Sequence, residues 1–146
     1  MKAALAAMLA ALTVWVCACS EEPDRLVRST TPDGEFALAL EAQEAWVRPG
    51  GTLPILVRLE RLSGPVDAEL VETIELTASN GSVDPSSLVV VLAGPDSTGA
   101  GADSTFSGWV TFSSSSYGSS TQETVYALFR DLAVSLDIRI QPQADD

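Results

Sequence analysis

The sequence contains no histidine and a single lysine, Lys2, and both of its cysteines fall within the first 19 residues. Without histidine, an imidazole acid–base relay, a catalytic triad and the usual zinc-ligand sets lack their parts. Basic side chains number 8 against 20 acidic ones, for a formal charge of −12. A nucleic-acid partner needs a basic face to displace counterions from phosphates, so that class is excluded. Glycoside hydrolysis would need a facing carboxylate pair, but the acids are scattered over loops and outward positions and no pair stands out. No serine has a lysine or histidine to act as its base. The expectation is a protein that is not an enzyme and takes no cofactor, in a length of 146 residues that suits one domain.

What is present begins with an address. Lys2 supplies a positive start, and Ala3 to Val16 is a 14-residue run interrupted only by Thr13. Spanning a bilayer takes about 20 apolar residues, so the run fits a secretory leader better than a permanent span. It ends in Val16-Cys17-Ala18-Cys19, which resembles the lipobox of bacterial lipoproteins: an aliphatic residue, a variable one, a small one, then the cysteine that receives lipid. The resemblance implies cleavage of residues 1–18 as a signal peptide and a diacylglycerol thioether on Cys19. Cys17 fails the same test, because bulky Val16 would precede the cut. An ordinary signal peptide cut nearby, or an uncleaved anchor, is the alternative. Ser20 in place of aspartate implies sorting to the outer membrane, with the protein facing the periplasm or the cell surface.

After such a cut, seven arginines face 20 carboxylates, a charge of −13, and the one remaining cysteine leaves no internal disulfide. Residues 19–34 are rich in Glu, Asp, Pro, Ser and Thr without periodicity and read as the lipidated cysteine followed by a disordered acidic tether. Stretched out, the 15 residues after Cys19 reach roughly 50 Å, so the acidity reads as holding the domain off the membrane. Residues 143–146 read as an acidic tail.

Between them, residues 35–142 alternate with a period of two. Phe36, Leu38 and Leu40 form one stripe; Leu53, Ile55, Val57 and Leu59 the next, with Arg58 and Glu60 facing away. Ile74, Leu76 and Ala78 follow. Leu88 to Leu92 is an unbroken apolar run, as expected of a strand covered on both faces or at a sheet junction. Phe106, Gly108, Val110 and Phe112 share a face, then Val125, Ala127 and Phe129, then Val134, Leu136, Ile138 and Ile140. Such alternation puts one face of each strand on a core. Turn residues separate the stripes at Pro49-Gly50-Gly51, Ser63-Gly64-Pro65, Asn80-Gly81, Asp84-Pro85 and Gly94-Pro95. About seven short strands predict an all-β, antiparallel β-sandwich. Pro54 places its strand at an edge or delays its start, because proline cannot donate to a ladder.

Gly50-Gly51-Thr52 before a strand, and the run from Ile74 through Asn80-Gly81 to Asp84-Pro85-Ser86-Ser87, resemble bacterial immunoglobulin-like domains of the invasin/intimin type. The resemblance covers about 40 residues (the rest agrees by strand number) and implies an immunoglobulin-like sandwich. It departs from the family in having one copy, with longer loops at 94–103 and 113–121.

Several side chains stand out as candidate contacts. Trp109 lies among Thr105, Ser107, Thr111 and Ser113 on the polar side of its strand, placed to stack on a sugar or anchor a protein partner unless the phase is inverted. Tyr126 and Leu128, on the polar side of the next strand, would extend that patch. Tyr117 sits in the serine-rich loop 113–121. Asp96 and Asp103 are weak calcium candidates in a glycine-rich loop without the spacing of a calcium motif. Trp46 reads as core or a strand cap. The expected partners are the membrane, through the lipid anchor, and a protein or glycan. The functional expectation is a non-catalytic, lipid-anchored binding or assembly module. An accessory subunit of an envelope complex and a calcium- or glycan-dependent adhesin are the alternatives.

Overall fold

The computed structural model describes residues 26–30, 34–63, 69–94, 103–115 and 121–141. They form ten strands: β1 (Leu26–Thr30), β2 (Phe36–Ala42), β3 (Trp46–Val47), β4 (Thr52–Arg61), β5 (Leu70–Ala78), β6 (Ser82–Asp84), β7 (Ser87–Leu92), β8 (Thr105–Ser113), β9 (Gln122–Phe129) and β10 (Leu132–Ile140). Two five-stranded sheets result, with orders β1-β2-β4-β8-β6 and β3-β10-β9-β5-β7. All pairings are antiparallel except β3 with β10, which is parallel. The protein is a β-sandwich, and each of the seven stripes read from the sequence is one of its seven longer strands.

The core lies between the sheets, where the alternation aims it. Leu38, Leu40, Ile55, Val57, Leu59, Val110 and Phe112 point inward from the first sheet. Ile74, Leu76, Val90, Leu92, Val125, Ala127, Phe129, Leu136 and Ile138 meet them from the second. Phe36 and Phe129 pack edge-to-face across the two sheets with ring centres 5.2 Å apart, an arrangement worth about 0.5–1.5 kcal/mol beyond area burial. Gly108 faces this interior too. A Cβ there would lie 3.1 Å from Leu88 Cδ1 and 3.2 Å from the Phe106 ring, so the missing side chain lets β7 and β8 approach.

Three readings change. Residues 26–30, assigned to the tether, are strand β1, paired with β2 from Leu26↔Glu41 to Thr30↔Ala37. The segment has too few apolar residues to show a stripe, but it completes the hydrogen bonds along the edge of β2 and also lies against β10. Trp46 is not a core residue; it is exposed on the edge strand β3. The apolar run of β7 is covered on one face only: Val90 and Leu92 are buried against the other sheet, whereas Val89 and Val91 are exposed, because among the described residues no further layer lies over the outer face of this sheet. Pro54 is compatible with its place in β4. Pairing with β2 ends at Ala42↔Ile55, so at Pro54 only β8 is alongside. The tail at 143–146 lies outside the described residues, as do the leader and Cys19.

Candidate docking surface

Eight large hydrophobic side chains are exposed among the described residues, and their distribution is uneven. Five of them, Val71, Val89, Val91, Tyr126 and Leu128, share the outer face of the second sheet. The register assembles them. Val71 lies directly opposite Val91, and Val89 opposite Thr73. On β9, Leu128 lies opposite Glu75 and Tyr126 opposite Thr77, so a polar row of β5 separates these two from the valines. Opposed side chains on one face stand about 4.5–5.5 Å apart at Cβ, close enough to act as one surface.

The three valines are each half exposed or more, at 56%, 62% and 50% for Val71, Val89 and Val91. β7 ends the sheet, and among the described residues no strand pairs with its outer edge. An edge strand of this kind offers a row of backbone donors and acceptors to an incoming chain, and natural sheets usually blunt it with charge or proline. Ser87–Leu92 contains neither. Exposed apolar side chains beside an open edge make this face a candidate for protein contact, with Thr73, Glu75 and Thr77 lying between the valines and the Tyr126–Leu128 pair.

Trp109 is 56% exposed, so its strand's phase is not inverted. It stands on the outer face of the first sheet, opposite Leu56, with Ser107 and Thr111 on either side along the strand. Tyr126 and Leu128 therefore do not extend its patch. β8 and β9 belong to different sheets, so their outward side chains point to opposite sides of the sandwich. Two separate surfaces replace the single one expected.

The calcium reading divides. Asp96 lies outside the described residues, as does Tyr117. Asp103 is engaged at the base of its loop: its carboxylate accepts the Ala93 N–H at 3.1 Å, and its own N–H donates to the Ala93 carbonyl at 3.0 Å. No group of three or more metal-ligating side chains occurs among the described residues.

Two ionisable clusters went unrecognised in the sequence. Glu123 is only 2% exposed on β9, and its Oε2 has no hydrogen-bond partner. Burial pushes its carboxyl above the ordinary value, opposed by hydrogen bonds from the Ser115 backbone and the Ser114 side chain. At the other end of the sandwich, Arg130 lies over the Phe36 and Phe129 rings and bonds Glu72. Both clusters brace loops against the core. The valine surface was missed for a different reason: an unbroken run from Leu88 to Leu92 has no polar residue to mark its outer face.

Compared with known protein families, curated proteins and solved structures, the chain matches none.

Proposed function

We propose that this protein is a non-catalytic, lipid-anchored envelope protein whose immunoglobulin-like sandwich serves as a binding or assembly module. Cys19 carries the anchor, and the outer face of β5, β7 and β9 receives a protein partner. The observation that supports this reading is the gathering of Val71, Val89, Val91, Tyr126 and Leu128 on one sheet face beside an uncharged edge strand. Catalysis finds no support in the side-chain inventory, which lacks histidine and retains no lysine beyond Lys2.

Two experiments address its halves. Growing cells with a radioactive fatty acid labels the wild-type chain and leaves Cys19→Ala unlabelled; equal labelling of both removes the anchor. Detergent extracts of the envelope yield a stoichiometric partner with the wild-type chain and lose it with Val89→Lys. A partner retained by Val89→Lys and lost with Trp109→Ala would move the site to the opposite face. That outcome would favour the second reading, in which exposed Trp109, flanked by Ser107 and Thr111, stacks on a glycan as an adhesin would.

A further inference from the structure

We infer that the end of the sandwich where β1 begins rests on the lipid headgroups, and that Trp46 is the side chain that enters them. The inference builds on the Cys19 anchor proposed above. It follows from the finding that β1, Leu26–Thr30, begins inside what the sequence presented as tether. Between Cys19 and Leu26 stand six residues, so the two are at most ~25 Å apart whatever the conformation between them. The ten residues of β4 alone extend about 33 Å. The leash is thus shorter than the domain, and one end of the sandwich is kept near the bilayer.

The strand register says which end. Leu26 pairs with Glu41, Ala42 with Ile55, and Thr52 with Ser113, so these positions lie at the anchor end. The segment between β2 and β4, which contains β3, belongs to the same end, and Trp46 is level with Arg139 near the finish of β10. Trp46 is 38% exposed there, with Arg48 and Arg139 also exposed beside it. Tryptophan concentrates at membrane interfaces, where its ring sits at headgroup level. Tyr126 shares the outer face of the second sheet with Trp46 but stands four residues farther from that end than Gln122, the partner of Arg139, and Trp109 stands on the opposite face.

Charge does not distinguish the two ends. At the anchor end Glu41, Glu44, Asp84, Glu123 and Asp137 accompany Arg48 and Arg139. At the far end Glu35, Glu60, Glu69, Glu72, Asp103 and Asp131 accompany Arg61 and Arg130 among the described residues. The leash carries Glu21, Glu22 and Asp24 beside Arg25, so the contact relies on the ring and on tethering rather than on charge attraction. A tether this short gives a local concentration of order mM, at which a weak interfacial side chain is engaged. The valine face of β5, β7 and β9 is then left to the side, open to a partner.

The test uses the full chain carrying Trp15→Phe and Trp109→Phe, so that Trp46 is the sole tryptophan. A second chain carries Trp15→Phe and Trp46→Phe and keeps only Trp109. Each is produced in bacterial cells, purified in detergent and reconstituted into phosphatidylethanolamine/phosphatidylglycerol vesicles with and without brominated acyl chains. We expect brominated lipid to lower Trp46 emission by at least about twofold, as for a ring at the headgroup–acyl boundary, and to leave Trp109 emission unchanged. Vesicle-bound protein with unquenched Trp46, or with both tryptophans quenched alike, overturns the inference and leaves the anchor standing. Protein that lacks lipid by intact mass and does not float with the vesicles overturns the anchor and, with it, the inference.

Discussion

Arg130 gives the sharpest quantitative test of how the far end of the sandwich is built. It is the first residue of the two-residue turn between β9 and β10 and has a φ of 53°. Its guanidinium carbon lies 5.0 Å from the centre of the Phe36 ring and 5.4 Å from that of Phe129. Its Nε donates to both carboxylate oxygens of Glu72 at 3.0 and 2.8 Å, Nη2 also bonds Glu72, and Nη1 lies 3.5 Å from Glu35. The side chain remains 37% exposed, so solvent screens the ion pair to about 0.5–1 kcal/mol. Two partly covered cation–π contacts add about 0.5–1 kcal/mol each. Arg130→Ala should therefore cost about 2 kcal/mol and keep the left-handed backbone that a Cβ resists. Arg130→Gly loses the same contacts but relieves about 1 kcal/mol of backbone strain. The expected stability order is wild type, then Arg130→Gly, then Arg130→Ala. Urea unfolding followed by circular dichroism measures it as a shift in midpoint at constant m. An alanine variant as stable as the glycine variant, or either as stable as wild type, would refute the reasoning.

Other substitutions probe both ends of the domain. Gly81 has a φ of 91°, and a Cβ there would lie 2.3 Å from the Ser113 carbonyl oxygen. Gly81→Ala should cost at least about 2–3 kcal/mol. Gly34→Ala, at a φ of 69° with open space around the new methyl, should cost only about 1 kcal/mol; urea midpoints decide. Glu123 titrates above the ordinary carboxyl value because it is buried. The folded state therefore favours its protonated form. The stability this contributes is present below the unfolded-state value and is lost as pH rises through the raised folded-state one. Glu123→Gln should be more stable than wild type by about 1 kcal/mol at pH 7, with the gap closing towards pH 4 in paired melts. A gap that widens on acidification would reverse the assignment.

The fold was legible because its seven long strands carry their burial pattern in the residues themselves. Leu53, Ile55, Val57 and Leu59 alternate with polar or partly exposed neighbours, and all four are buried. What escaped notice depends on partners distant in sequence. β1 has no stripe of its own and is a strand because the edge of β2 accepts it. The outer valines of β7 look like the inner ones, and only the packing of one sheet on the other shows which face is open. Trp109 and Tyr126 were both read as outward, and both are. Their separation onto opposite faces follows from the assignment of β8 and β9 to different sheets, which alternation within one strand does not encode.

The central claim is that the valine face is where a partner sits. Each of Val71, Val89 and Val91 is half exposed or more, so burying what remains is worth about 1 kcal/mol apiece, or about 3 kcal/mol together. That corresponds to a change of about 100-fold in affinity. The most direct measurement is photo-crosslinking in living cells, with a photoreactive amino acid placed singly at Val89 or at Trp109. The account predicts one discrete adduct from position 89, abolished when Val71 and Val91 are both changed to threonine, and no adduct from position 109. A discrete adduct from position 109 with none from position 89 would contradict it.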